Sequence, residues 1–535
     1  MRRTFVITSI TFLCILATFL YLWRGPTNDS GTGTSAESAA PYTIADSTGD
    51  WGYPTPYGMY PRGPGYVRMS FIFDTLIRKD RDGFTGALAK EWDYDEANNT
   101  HTFVLRDDIK WHDGEDLTAQ DVVFTFDYMK RHPWPWAKLD VVEDVHADSS
   151  HTVSIELSQP YAPFLTNLAG TIPILPQHIW HDVDQPQKFR GPKAIIGSGP
   201  YRLLDYNPAH GSYRYAAQEN YYLGKPDVER IHFVKHSEEM TPSAIRNGAV
   251  SAGTVPPESI EPLENAGYTV VRQAPVWAAK LMINHQAPPL SQLTMRRAIA
   301  YAIDQERIVD IICRGHGAAG SAGLIPPANE RWHNPAVSGY PQDAKKSQEL
   351  LQTLGYTRNE DDIFQKDGEE LRFELLVAPD RQNFGRLAEL LEDQLRHAGM
   401  DLQVRAVESK TLDSMLSNHQ FELAISGHGG LGGDPEILNK MILGDSFNSA
   451  RYRRDRELKD LLKKQIGATD PKTRRTLVSR IQRLYARKVP AITLYHPTWY
   501  WAHDGRVSLH RTPGGLAQGI PIPLNKLLFV RSHRP

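Results

Sequence analysis

The chain has 535 residues, 40% of them hydrophobic and 10% aromatic. At ~100–200 residues per domain that is material for roughly two to four domains with real cores, which excludes a disordered chain or a mini-protein. Lys+Arg number 60 against 63 Asp+Glu, a formal net charge of -3, so no global basic field gathers phosphates and nucleic acid is excluded as a primary partner. Only two cysteines are present, Cys14 and Cys313, too few for a four-cysteine zinc site or an iron–sulfur cluster; with Cys14 inside an apolar N-terminal run, no intrachain disulfide is expected.

In chain order, Arg2 and Arg3 precede an uncharged apolar run over residues 6–23, then Arg24 and a Ser/Thr/Gly-rich stretch over 27–40. This reads as an export segment of residues 1–25 and a flexible linker of 26–42. The run reaches the short end of the range for a spanning helix, and no small-x-small cleavage site follows it. An uncleaved anchor with the N-terminus inside is therefore expected, with a cleaved signal peptide as the alternative. Residues before Cys14 lack the small side chains of a lipoprotein site. No later run approaches the ~20 apolar residues of a second span, so the body faces outward.

The segment 51–66 is aromatic and punctuated by Pro and Gly, hence a rigid loop, and 69–77 is apolar enough to be helix or strand. A hairpin follows: a strand ending at Trp92, a polar turn over 95–99, and alternation over 101–106. Asp93 and Asp95 begin like a calcium loop, but Ala97 and Asn98 stand where an oxygen ligand and Gly belong. After the Asp113-Gly114 turn, Thr118 caps a helix, with Asp121 as the acidic partner of a capping box. Strands are expected over 152–157 and 231–234, and helices over 294–303 and 344–354. The succession strand 371–377, helix 383–398, strand 402–407 is a βαβ unit. The fold class is α/β, with more than one lobe.

Catalytic motifs are wanting: there is no Gly-x-Ser-x-Gly elbow, no Walker loop and no His-Glu-x-x-His. Gly197-Ser198-Gly199-Pro200 starts like a dinucleotide loop, but Pro200 removes an N–H that phosphate would need. His178 and His181 could share a helical face, yet lack a third ligand. Neither an enzyme nor a resident cofactor or metal is expected.

Several motifs then carry a resemblance. They are Leu88-Ala89-x-x-Trp92, Thr102-Phe103-x-Leu105-Arg106, Trp111-His112-Asp113-Gly114, Thr118-Ala119-x-Asp121-Val122, Gly197-Ser198-Gly199-Pro200-Tyr201 and Asn220-Tyr221-Tyr222-x-Gly224-x-Pro226. Further on come Ile283-Asn284, Pro288-Pro289, Arg296-x-Ala298 and Ala302-Ile303-Asp304. In this order and spacing, over about 66–507, the chain resembles the family 5 extracellular solute-binding proteins of ABC importers, which include oligopeptide, dipeptide and nickel-chelate binders. The resemblance implies a two-lobed periplasmic-binding-protein-like fold of type II with an extra subdomain. Its parts would be lobe I over 43–82, the subdomain over 83–195, lobe I again over 196–278, lobe II over 279–488 and a return to lobe I over 489–535. It further implies a monomeric receptor that encloses a peptide or peptide-like solute between the lobes. The permease and ATPase subunits of an importer would be its partners. A metal chelate is the alternative ligand, and a sensor for a membrane signalling protein the alternative role.

Three stretches are candidates for the ligand. Arg131-His132-Pro133-Trp134 is similar to the Arg-His-x-Trp segment of nickel-chelate binders: Arg131 would pair with a carboxylate and Trp134 stack on the ligand, unless the Trp seals the subdomain core. In Ser426-Gly-His428-Gly-Gly-Leu431-Gly-Gly-Asp434-Pro435, the oligopeptide binders' acid for the peptide amine is replaced by Leu431. The five glycines leave room for a bulkier or anionic ligand near His428, and Asp434 is a cation ligand or a helix cap. Tyr57, Met59 and Tyr60, leading to Phe71, with Trp499 and Trp501, line an apolar wall or pack the core.

Overall fold

The computed structural model describes residues 40–381 and 383–530. The expected N-terminal anchor lies outside them, and among the described residues no helix is long and apolar enough to cross a membrane.

Two large sheets organise the body. The first has seven strands in the order Thr269–Arg272, Tyr500–His503, Ala252–Val255, Tyr42–Asp46, Arg230–Lys235, Ser212–Ala217, Tyr201–Asn207. The second has six, in the order Gly317–Ala319, Ala491–Pro497, Ala278–Ile283, Leu423–His428, Arg372–Val377, Asp401–Ala406. The first sheet is the heart of lobe I and the second of lobe II. Strand Ala491–Pro497 belongs to lobe II, so the chain returns to lobe I at Thr498 and Trp499, past the boundary expected at 489. Successive residues along a strand face opposite sides, and the second sheet buries both. Ala279, Leu281 and Ile283 enter one core while Ala278 and Met282 enter the other.

The hairpin is present as Ala89–Asp95 against Thr100–Leu105, within a four-stranded sheet that also holds Thr152–Leu157 and Val142–Ser149. Helix Ala119–Arg131 packs on it, and Asp121 Oδ2 accepts the Thr118 backbone N–H at 2.9 Å at its start. The ambiguous segment 69–77 divides: helix Gly63–Ser70 ends within it and strand Ile77–Asp80 begins at its last residue. Strands Arg372–Val377 and Asp401–Ala406 pair in parallel around helix Phe384–His397, the expected βαβ unit. Gly199 permits a close crossover: its N–H donates to Ile72 O at 2.7 Å, and a Cβ would lie 2.5 Å from Phe71 O. Lobe I is locked to the C-terminal segment by a fully buried ion pair between Lys526 and Asp74, with Lys526 Nζ also donating to Phe73 O at 2.9 Å.

Candidate functional site

Two segments connect the sheets. Residues 273–277 lead from strand Thr269–Arg272 to strand Ala278–Ile283, and residues 498–499 lead back from Ala491–Pro497 to Tyr500–His503. They are tied side by side: the Gln273 N–H donates to Trp499 O at 2.8 Å, and the rings of Trp277 and Trp499 lie 5.7 Å apart. Short, paired connections of this kind localise backbone rotation, which makes the joint a hinge between two rigid sheets.

Away from the hinge, side chains bridge the lobes at several places, among them an ion pair between Arg314 and Glu258 and a bond from Lys440 Nζ to Gln518 Oε1 at 2.7 Å; two others bear on the joint. Asp413, on helix Ser409–Ser417 of lobe II, accepts from Tyr60 Oη at 2.8 Å and Arg62 Nη2 at 2.7 Å, both from lobe I. Its other oxygen accepts from Arg381 Nη2 of lobe II at 2.7 Å. The Arg62 guanidinium also sits 4.7 Å from the ring centre of Phe447. One carboxylate between two arginine forks gives strong charge-assisted hydrogen bonds, yet few groups must part for the lobes to separate. The second bridge joins the subdomain to lobe II: Asn167 Nδ2 donates to Glu436 Oε2 at 3.0 Å, and Ala162 N–H to Ile466 O at 2.8 Å. Burial holds the Glu436 carboxyl above its usual range, with Lys440 opposing.

The glycine-rich loop after strand Leu423–His428 lies at this joint. The Gly430 N–H donates to Gly519 O at 3.2 Å, and a Cβ on Gly519 would lie 2.8 Å from Gly430 Cα. A Cβ on Gly432 would meet Val276 at 3.1 Å. Part of the space expected for ligand is therefore taken by the C-terminal loop and the hinge segment, and that close backbone approach is what the glycines permit there.

The candidate residues separate into four groups. Trp134 is 3% exposed and donates Nε1–H to Pro56 O at 2.7 Å; Tyr57 donates to His132 O at 2.6 Å; Phe71 is fully buried among Tyr201, Tyr215, Phe233 and Phe529. All three pack the core of lobe I. Arg131 is exposed, 5.7 Å over the Tyr128 ring. Asp434 accepts both arms of Arg474, at 2.8 and 2.6 Å, and the Glu436 N–H at 2.8 Å, so its oxygens serve an ion pair and a turn before helix Ile437–Leu443. Trp499 and His428 border the joint, as does Tyr60 through its bond to Asp413. His428 is buried; its Nδ1 lies 2.8 Å from Gly429 O and its Nε2 has no partner. Burial, helped by the charge of Lys280, keeps the imidazole far below its ordinary pKa and hence neutral. His178 lies 2.8 Å from Asp113, and among the described residues no cluster of His, Cys, Asp and Glu is placed to hold a metal.

Sequence reasoning missed Asp413, Arg62, Arg381 and Lys79. Lys79, on strand Ile77–Asp80, lies close enough to the glycine loop to feel the charge of Asp434 and forms no ion pair; burial pushes its amine down to about 8. In sequence it is one of five consecutive charges, Arg78 to Asp82, and nothing local singles it out.

A two-lobed α/β body, hinged on paired strand connections and clasped by a few polar contacts across a joint, is the build of a solute-binding protein. A family model described as bacterial extracellular solute-binding proteins, family 5, middle, matches residues 83–449. The chain belongs to that family. It is 26% identical over 431 residues to the nickel-binding periplasmic protein of Escherichia coli, covering 77% of this chain and 81% of that one. To the dipeptide-binding protein of the same organism it is 25% identical, covering 77% and 80%. Among solved structures, NikZ from Campylobacter jejuni, in complex with Ni(L-His), superposes with a TM-score of 0.77 at 22% identity, covering 90% of this chain and 97% of that one. AppA from Bacillus subtilis, in complex with a nonapeptide, gives 0.75 at 19% identity, again covering 90% and 97%.

Proposed function

We propose that this chain is the receptor of an ABC importer, capturing a peptide or peptide-like solute between its lobes and handing it to a permease powered by an ATPase. The observation that carries this is the Asp413 clasp: lobe I reaches lobe II through Tyr60 and Arg62, while the hinge strands leave the sheets free to part. Binding is reversible and no bond is made. The domain spans given above, an N-terminal tether and a monomeric state belong to this reading.

The solute would be held at the joint. Leu431 is fully buried in lobe II, so no acid stands there to meet a peptide amine. Lys79, an ammonium without an ion pair beside the glycine loop, would take an anionic end of the solute, with Trp499 and the neutral imidazole of His428 along the wall. A test is thermal melting of the chain against short peptides, nickel with and without acidic chelators, haem and sugars. A ligand at about 100 times its dissociation constant adds roughly 2.7 kcal/mol to stability. A rise with peptides is the expected result; a rise only with an acidic nickel chelate would replace the peptide reading with the chelate one.

A further inference from the structure

Lobe II contains a cavity of about 250 Å³ between strand Ala278–Ile283, the end of helix Ser409–Ser417 and the segment 445–454. At ~30 Å³ of liquid volume per water, that is room for about eight water molecules. Every lining residue belongs to lobe II, and none of the residues proposed above to hold the solute is among them.

The charge in this cavity is unbalanced. Its wall carries Arg451, Arg453 and Arg454, and one carboxylate, Asp445. That carboxylate is already bound by Arg453 and also feels Lys138 and Arg451. Arg451 spends its two Nη groups on backbone carbonyls, donating to Ser417 O at 2.8 Å and Asp445 O at 2.7 Å. Arg454 donates one to His285 O at 2.7 Å. Carbonyl contacts fix a guanidinium without neutralising it. Among the described residues, Arg451 Nε, Arg453 Nη1, and Nε and Nη1 of Arg454 are left as donors without protein partners.

The neighbours supply no further negative charge. His285 is held between Arg296 and Arg454; burial first and then these two charges push it down to about 3, so it is neutral. His419, which also lines the cavity, is likewise pushed down by burial and by Arg451 and Arg453. Arg296 stands behind the wall, 5.7 Å from the ring centre of Tyr452. Three arginines against one carboxylate leave two positive charges in excess, held in place by backbone bonds.

We infer that this cavity is a second binding site, for a phosphate-type dianion, distinct from the residues proposed to hold the solute and abutting the Asp413 clasp through Phe447. An anion of charge about -1.5 to -2 at neutral pH matches the excess, and guanidinium forks suit its tetrahedral oxygens. The source is either a free phosphate or phosphomonoester, or the headgroup of an anionic lipid at the membrane surface.

The test is calorimetric titration of the full-length chain with inorganic phosphate at constant ionic strength, beside Arg454→Gln, Arg453→Gln, Arg454→Lys and a distant control, Arg480→Gln. Saturable binding at one site is expected. It should weaken about tenfold in Arg454→Gln and Arg453→Gln, recover partly in Arg454→Lys, which keeps charge without the fork, and stay unchanged in Arg480→Gln. In parallel, the same proteins are sedimented with phosphatidylcholine vesicles with and without phosphatidic acid. Recruitment to phosphatidic acid that Arg454→Gln abolishes, without binding of free phosphate, assigns the site to a lipid headgroup. Failure of both ligands, or equal weakening in Arg480→Gln, overturns the proposal. If Arg454→Gln lowers the melting temperature, the comparison of Arg454→Lys with wild type decides instead.

Discussion

Lys280 sits in the middle of the second sheet, fully buried on the face that also carries Met282 and Ala424, and no carboxylate faces it. Its ammonium donates to Asn448 O at 2.8 Å and lies 4.0 Å from Met441 Sδ. Burial alone pushes its pKa from 10.5 to about 7. At about 1.36 kcal/mol for each tenfold change in proton affinity, the charged form costs on the order of 5 kcal/mol below pH 7. Replacing Lys280 by Met removes that cost but orphans the Asn448 carbonyl, worth about 1–2 kcal/mol. Lys280→Met should therefore stabilise lobe II by about 3–4 kcal/mol at pH 6. Between about 7 and 10.5 the folded chain binds fewer protons at this site than the unfolded chain, so wild-type stability rises with pH through that window. The advantage of the variant should accordingly shrink to near zero by about pH 9.5, where folded Lys280 is already neutral. Urea unfolding of both proteins at pH 6, 8 and 9.5 reads this directly. Equal pH slopes in the two proteins, or a less stable Lys280→Met at pH 6, would show that the ammonium has a compensating anion and refute the argument.

Three further outcomes follow from the same contacts. Asp413→Asn weakens the bonds from Arg62 and Arg381, so the lobes should open more readily. X-ray scattering should show a larger radius of gyration without solute, and stopped-flow should show a solute off-rate faster by about tenfold, one charge-assisted hydrogen bond's worth. Arg474→Ala leaves Asp434 half-buried and unpaired, which should cost about 3–5 kcal/mol in denaturant unfolding, while Asp434→Asn with Arg474→Leu should recover most of it. Cys313, whose thiol burial pushes up to about 12, should resist disulfide reagents at pH 8 in a Cys14→Ser background and react only on unfolding; prompt labelling of the native chain would contradict this.

Much of the fold was legible because it is local. The alternation of 101–106, the capping pair Thr118 and Asp121, and the helix of 383–398 each depend on residues a few positions apart, and each element stands within a residue or two of its expected bounds. The segment 69–77 was not legible, since an apolar run without a clear period fits either structure. The site was read less well. Trp134, Tyr57 and Phe71 have the composition of a pocket, but an aromatic side chain with one polar atom suits a core as well as a cleft. Burial among partners from distant segments decided between them. Conversely, Asp413 and Arg381 look like any helix or loop charges until folding sets Arg62 beside them.

The sequence by itself determined the elements, the α/β class and, through the order of its motifs, the family, because these rest on short-range pattern and chain order. Only the tertiary structure decided where the chain crosses between sheets, which arginines stand without a counter-charge and which acid clasps both lobes. The crossings and the clasp join residues hundreds of positions apart, and even the contiguous arginines at 451–454 show their missing counter-charge only once folding sets their neighbours around them.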